Sequence, residues 1–460
     1  MKRFIKIITP DFIINTWHYF NAWYGSVRYN HPSEEMLIIG VTGTSGKSST
    51  IHFLRQLLEY VGYDVGSLST ADFYIKGESK LNDRKMTMLG KGQIHKYLRK
   101  MKNKDCDIAI IETTSEGALQ HRHKFINYDF AIFTNLYPEH LEAHGGFENY
   151  KECKLNILRY ISSCRDKFWN KEKDKIEIQE RPKKEQQPEK IPKTCVLNAN
   201  NEHMQDAIKI DFDKKCVFAR SDKQNYLKNN KEVDYEIISS EENMDKNGLS
   251  FKIDGETYST SIMGKYNIWN ILAAISVVKQ IQPNLTLKEA VADLEPPPGR
   301  LEFISEAEAE GFKVLVDYAF EPKALKSMYE TIEVIDTNKI IHVCGSAGGG
   351  RDKSRRGPIG NIAAENADIV IATNEDPYYE DPMEIINQVA KGAEVNDQIS
   401  QENIYKIMSR EEAIEKAVSL AEKGDLVIIT GKGCEQGIMQ NGEMIDWDDR
   451  EVVREKIRQL

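Results

Sequence analysis

Residues 38–51 read IIGVTGTSGKSSTI: an apolar run, a turn rich in glycine and hydroxyl residues, then a lysine and two serines. The apolar residues 37–41 predict a short buried strand that delivers the chain to the turn. Small residues leave backbone N–H groups unhindered, so at the start of a helix such a turn converges on an anion. Gly43, Thr44, Ser45, Gly46, Lys47, Ser48 and Ser49 therefore read as a cradle for a nucleoside triphosphate. Lys47 would reach the β and γ phosphates, and Ser48 would supply a hydroxyl to Mg2+. The strict spacing G-x-x-x-x-G-K-[ST] is not met, because Val41 stands five before Gly46 and the glycine is one earlier, at Gly40. A purely structural turn is the other reading of such a segment; the lysine and the paired hydroxyls weigh against it.

The 460 residues allow roughly two or three domains with a conventional core. A net charge of −10 argues against sequence-independent nucleic-acid binding, so an anionic substrate needs a locally basic cleft. Seven cysteines include no C-x-x-C pair and form no even framework, which points away from a zinc site or a disulfide scaffold and suits a reducing, cytoplasmic setting. Residues 1–36 are basic and aromatic but interrupted by Asp11, Asn15 and His18, too polar for a signal peptide or a spanning helix. They read as a helical segment packed on the next domain. A second reading has Lys2, Arg3 and Lys6, beside Phe, Trp and Tyr, touching a membrane surface.

After the turn, helix-like and strand-like segments alternate, with a helix at 51–61 and buried strands at 107–112 and 130–134. That rhythm predicts an α/β fold, a parallel sheet covered by helices, with catalytic groups at the C-terminal strand ends. Glu112, Asn135 and His140 fall there, and a helix follows at 148–163. The charged, proline-containing segment 167–193 reads as a solvated insertion without chemistry. A strand-rich stretch resumes near Thr194, with an Asp-Gly hairpin at 251–262, and GKYNIWNILAAISVV opens a buried helix. PPPGR at 296–300 cannot continue a helix and reads as a boundary between a central domain, 37–299, and a C-terminal domain, 300–460. Four strand-like runs after it, KVLVDYA, KIIHVCGS, ADIVIAT and DLVIITG, predict a second, Rossmann-like α/β domain.

The motifs GTSGKSS, IETTSEGALQHR, FTNLYPEHLEAHG, YKECK, GKYNIWN, PPPGRLE, VDYAFEP, GGGRDKSRR, NEDPYYEDP and TGKGCEQ, in this order, resemble those of the Mur ligases, closest to the tripeptide-synthetase (MurE) type. The resemblance implies an ATP- and Mg2+-dependent peptidoglycan-precursor ligase. It would make an acyl phosphate on UDP-N-acetylmuramoyl-L-Ala-D-Glu and join an amino acid, diaminopimelate or lysine, to it. It implies that Lys47 contacts phosphate, that Ser48, Glu112 and His140 ligate metal, and that Lys154 is carbamylated to become a further ligand. Asn267 and Asn270 would contact adenine, and Arg300 and Asp317 would close over the nucleotide. Thr87, Thr114, Gln120 and Arg122 would meet the muramoyl-peptide. Arg351, Glu375, Asp376, Tyr378, Gly431 and Glu435 would read the incoming amino acid.

Departures from the family pattern are specific. The family's T-T-P is MTM at 86–88, Phe320 and Cys434 replace histidines, and Tyr378 stands where diaminopimelate-adding members carry the arginine of D-N-P-R. Only 36 residues precede the phosphate-loop strand, where the family has a uridine-binding domain, so the uridine end of the acceptor lacks its usual holder. A related ligase acting on another carboxylate acceptor, polyglutamate-like or lipid-linked, is the alternative. The expected partners are the nucleotide-sugar peptide and an amino acid, with no nucleic acid, and the expected state is a monomer.

Overall fold

The computed structural model describes residues 10–90, 92–139, 144–169, 178–179, 189–220 and 232–460. Strand Leu37–Thr42 is buried along its whole length near the middle of an eleven-stranded sheet. It pairs in parallel with Ile108–Glu112 on one side and Phe130–Phe133 on the other. Unbroken apolar runs of this kind suit a sheet covered on both faces. Outward from Phe130–Phe133 lie Thr194–Asn198, Lys214–Ala219 and Tyr235–Asp245, all parallel, then antiparallel Gly248–Ile253 and Glu256–Thr260. On the other flank Val65–Leu68 is parallel, and Asp72–Ile75 and Glu78–Leu81 close the edge antiparallel.

Helices Lys47–Tyr60 and Asn267–Ile281 cover one face through Ile51, Leu54, Ile271 and Leu272. Helices Gln93–Asn103 and Phe147–Ser162 cover the other through Leu98, Met101, Leu155 and Leu158. The Asp-Gly hairpin forms between Gly248–Ile253 and Glu256–Thr260, with Asp254 at φ 51° and Gly255 at φ 80°, the positive pair a two-residue turn requires.

After residues 296–300 a second sheet of six strands takes over. Its order is Glu302–Phe303, Lys313–Asp317, Leu426–Thr430, Ile340–Cys344, Ile369–Thr373, Ile404–Ile407. All neighbours are parallel except the first pair. The four apolar runs of the sequence are its interior strands. The edge strand Ile404–Ile407 reads IYKI and is half exposed, so it lacks the apolar run that betrays a buried strand.

The charged segment 167–193 needs a correction at its two ends. Much of it lies outside the described residues, but Lys167 and Lys193 are fully buried rather than solvated. Both ammonium groups meet Asp129, at 2.6 and 3.0 Å. Lys167 also donates to the Met36 and Asn127 carbonyls, and Lys193 to that of Tyr128. Asp129 in turn accepts from the Ile38 N–H at 2.9 Å. The insertion is thereby tied to the base of the strand that carries the phosphate turn.

Removing one partner of a buried ionic cluster strands the others, at about 3–5 kcal/mol. Asp129→Ala should therefore lower unfolding stability by roughly that amount in urea denaturation. A change below about 0.5 kcal/mol, the range of an ordinary surface substitution, would show that the cluster contributes nothing to stability.

Candidate active site

The turn after Leu37–Thr42 is shaped by contacts that leave no room for a side chain. Gly43 has φ 148°, and a Cβ there would stand 1.9 Å from Thr134 Oγ1. Gly46 has φ 77°, and its Cβ would stand 2.4 Å from Asn270 Oδ1. The loop following Phe130–Phe133 braces the turn. Thr134 Oγ1 donates to the Ser45 carbonyl at 2.7 Å, and Asn135 Oδ1 accepts from the N–H groups of Thr44 and Ser45 at 3.2 and 2.9 Å. Helix Lys47–Tyr60 starts directly after it with no acidic residue in its first turn, leaving the N–H groups of a helix start to face an anion. Lys47 folds back over the turn and donates to the Thr44 carbonyl at 2.7 Å.

Glu112 ends its strand beside this turn and is buried. Its carboxylate accepts from Ser48 Oγ at 2.9 Å, from the Thr70 N–H at 2.8 Å and from Thr70 Oγ1 at 3.1 Å. Thr87 Oγ1 lies 2.8 Å from Thr70 Oγ1, which links Thr87 to Glu112 through one hydroxyl. Ser48, Thr70 and Glu112 form an oxygen-only set, the donor chemistry of a hard cation such as Mg2+, which keeps few protein ligands and takes the rest from phosphate and water.

Lys154, on helix Phe147–Ser162, is buried and donates to the Gly43 carbonyl at 2.6 Å. Burial first, and the nearby Lys47 second, push its ammonium well below the ordinary lysine range. Glu139 completes this centre: burial raises its carboxyl, against the pull of Lys47 and Lys154. The sequence reading passed over Glu139 and Thr70, because an acidic residue in a loop and a lone threonine have no spacing that marks them. His140 lies outside the described residues.

The two asparagines expected at adenine are buried and bonded within the protein. Asn270 Nδ2 donates to Asn267 Oδ1 at 2.8 Å, Thr50 Oγ1 donates to Asn270 Oδ1 at 3.2 Å, and Asn267 Nδ2 donates to the Met263 carbonyl at 2.7 Å. They pin helix Asn267–Ile281 to the phosphate helix. Asp317 accepts from the N–H groups of Leu301 and Ala319 at 2.7 and 2.8 Å, which fixes the chain just past the proline segment. Arg300 lies with its guanidinium 4.8 Å from the Tyr318 ring centre, and among the described residues its buried Nε has no hydrogen-bond partner. Thr114 caps the short helix Ser115–Leu119 by accepting from the Gly117 N–H at 3.1 Å. Gln120 and Arg122 bond each other, and Arg122 also donates to the Met88 carbonyl.

The second domain contributes a charged cluster. Glu375 is buried against Gly431, whose φ is 107°; burial raises its carboxyl, and among the described residues its Oε2 has no hydrogen-bond partner. Asp376 accepts from Lys432 Nζ at 3.1 Å and from the Met439 N–H at 2.6 Å. Glu435 accepts from Tyr318 OH at 3.0 Å and from Lys432. Into this cluster reaches Lys85 of the first domain, 2.6 Å from Asp376 Oδ1 and 3.5 Å from Glu435 Oε2. Burial and then Lys432 push the Lys85 ammonium below its usual range. Asp376 stays below the usual carboxylate range because Lys432 and Lys85 outweigh its burial. Tyr378 sits at φ 56° and is half-buried, with the exposed Arg351 guanidinium 5.7 Å from its ring centre. Lys85 and Lys432 were absent from the sequence reading, since their partners are hundreds of residues away or hidden in a glycine-rich motif.

Residues 41–278 match the family described as Mur ligase middle domain, and residues 299–433 match Mur ligase, glutamate ligase domain. The chain is 31% identical over 437 residues to a UDP-N-acetylmuramoyl-L-alanyl-D-glutamate--2,6-diaminopimelate ligase of Clostridium botulinum, covering 94% of this chain and 80% of that one. It is 31% identical over 453 residues to a UDP-N-acetylmuramyl-tripeptide synthetase of Borreliella burgdorferi, covering 96% and 80%. A solved structure carrying the name of the first relative shares the fold with a TM-score of 0.56 at 24% identity, over 92% of this chain and 79% of that one. Mycobacterium tuberculosis folylpolyglutamate synthase complexed with ADP and AMPPCP shares it with a TM-score of 0.64 at 14% identity, over 90% and 92%.

Lys85 joins the two domains through a partly buried ion pair, and a charge-assisted bond of this kind contributes about 1.5–3 kcal/mol. Lys85→Ala should loosen the closed arrangement and enlarge the radius of gyration seen by small-angle X-ray scattering without substrates. An unchanged scattering profile would mean that other contacts hold the domains together.

Proposed function

The chain belongs to the Mur ligase family of ATP-dependent ligases, and we propose that it extends UDP-N-acetylmuramoyl-L-alanyl-D-glutamate by one diamino acid. The observation that carries this reading is the convergence of Lys47, Ser48, Glu112 and Lys154 around the turn at the C-terminal end of Leu37–Thr42. A carboxylate is a poor electrophile because attack on it would have to expel oxide. Transfer of the γ-phosphoryl group from ATP to the glutamyl carboxylate releases ADP and leaves an acyl phosphate. The amino group of the incoming amino acid then attacks the acyl carbon, phosphate departs, and the nitrogen loses a proton to give the amide.

The residues divide this work. The glycine turn and the helix start bind the triphosphate, and Lys47 supplies a fixed positive charge near the transferring phosphoryl group. Ser48 and Glu112 would hold Mg2+, which when bound neutralises charge on the phosphate oxygens. Lys154 is buried, with its amine driven toward the neutral form that reacts with carbon dioxide. Adding CO2 to that amine, with loss of one proton, would make a carbamate, a carboxylate-like metal ligand in the position of a lysine.

For the amino acid, Asp376 and Glu435 offer negative charge to a side-chain ammonium, in the place that Lys85 fills here. A distal carboxylate would need a cation, and Tyr378 provides only a hydroxyl where the family's diaminopimelate-adding pattern has arginine.

The reading is tested by incubating the enzyme with ATP, Mg2+, the nucleotide-sugar dipeptide and either lysine or diaminopimelate. ADP release and a product heavier by one amino-acid residue are expected. ADP release with a polyglutamate-type or lipid-linked acceptor instead would overturn the choice of acceptor. Lys154→Ala should lose most of its turnover and regain part of it with added short carboxylates; full activity in the variant would remove Lys154 from the chemistry. Tyr378→Arg should shift competition between the two amino acids toward diaminopimelate by roughly one to two decades, the worth of a bidentate charge-assisted contact. A strong preference for diaminopimelate in the unaltered enzyme would show that another cation already fills that role.

A further inference from the structure

Helix Asp11–Arg28 is amphipathic in the wrong sense for a surface helix. The side it turns to the protein is built from small and polar residues: Asn21, Ala22, Gly25 and Ser26. It approaches so closely there that a Cβ on Gly25 would lie 2.5 Å from the Gly92 Cα. The side it turns to solvent carries Phe12, Trp17, Phe20, Trp23, Tyr24 and Val27, with Phe12 69% and Trp17 59% exposed. At 100° per residue these fall on one continuous stripe. An ordinary surface helix places such residues inward, so a large outward apolar stripe marks a contact surface.

We propose that this helix seats the enzyme on an anionic lipid surface, lying in the headgroup region with its aromatic stripe inserted. Trp and Tyr suit that depth because each has an apolar body and a polar edge. The helix has one carboxylate, that of its first residue Asp11, and it ends in exposed Arg28. The neighbouring helix Gln93–Asn103, against which it packs, exposes Lys96 and Lys100. This local positive charge complements anionic headgroups although the chain as a whole carries −10. A second copy is a poorer occupant. The stripe of an 18-residue helix is about 27 Å long and roughly 10 Å wide, on the order of 300 Å2, well under the ~800 Å2 per partner of a stable interface. Among the described residues no helix is long and apolar enough to cross a membrane, so the contact is peripheral.

Flotation of the full chain with vesicles tests this. Phosphatidylglycerol vesicles should carry the enzyme upward and phosphatidylcholine vesicles should not. The triple variant Trp17→Ser, Phe20→Ser, Trp23→Ser should cut the floated fraction roughly tenfold or more, as should Lys96→Glu with Lys100→Glu, with ligase turnover in solution unchanged. Failure of the unaltered enzyme to float, or equal flotation of the triple variant, would overturn the proposal. So would sedimentation showing a dimer that the triple variant abolishes while vesicles bind neither form.

Discussion

The tight fit of one turn against two other elements governs the architecture. Gly43 lies against Thr134 and Gly46 against Asn270, each so close that a methyl group would collide. These two contacts fix the spacing between the central strand, the strand beside it and the buried helix Asn267–Ile281. They also hold the start of helix Lys47–Tyr60, whose first backbone amides have no partner within the helix, at the C-terminal end of the central strand. The paired carboxylate and hydroxyls of Glu112, Ser48 and Thr70 then lie on the same sheet edge, because Leu37–Thr42 and Ile108–Glu112 run parallel in register, Val41 opposite Glu112. A parallel pair brings two C-terminal ends together, and with them two sets of functional side chains.

The second domain meets the first both through apolar packing of Met263 and Tyr266 and through charge at Lys85. Lys85 enters a cluster in which Asp376, Glu435 and Lys432 alternate in charge. In a region shielded from water such groups are stable only when each faces an opposite charge. The same economy explains Lys167 and Lys193: two long cationic side chains enter the interior because Asp129 and three backbone carbonyls receive them.

The N-terminal helix separates two properties that usually coincide. Its inner side is made of small residues that permit close approach, and its outer side is aromatic. Packing on the domain thus leaves the apolar stripe free for another surface.

Local chemistry was sufficient for the buried strands Leu37–Thr42, Ile108–Glu112 and Phe130–Phe133, the glycine turn, the Asp-Gly hairpin and the two α/β sheets. Apolar runs, glycine placement and turn residues act over a few neighbours and leave their mark in the linear order. Ser48, Glu112 and Lys154 were legible as positions in motifs, but the physical state of Lys154, buried and set on the Gly43 carbonyl, was not. Nor was the burial of Lys167 and Lys193, which the composition of their segment contradicts, or the junction of Lys85 with Asp376 across 291 residues. A lysine in the sequence has one character in water and another in the interior. Which of them it takes depends on partners brought by distant parts of the chain, so the sequence by itself determined the buried central strands and the residues of the turn. Only the tertiary structure decided which charges are buried, paired and poised.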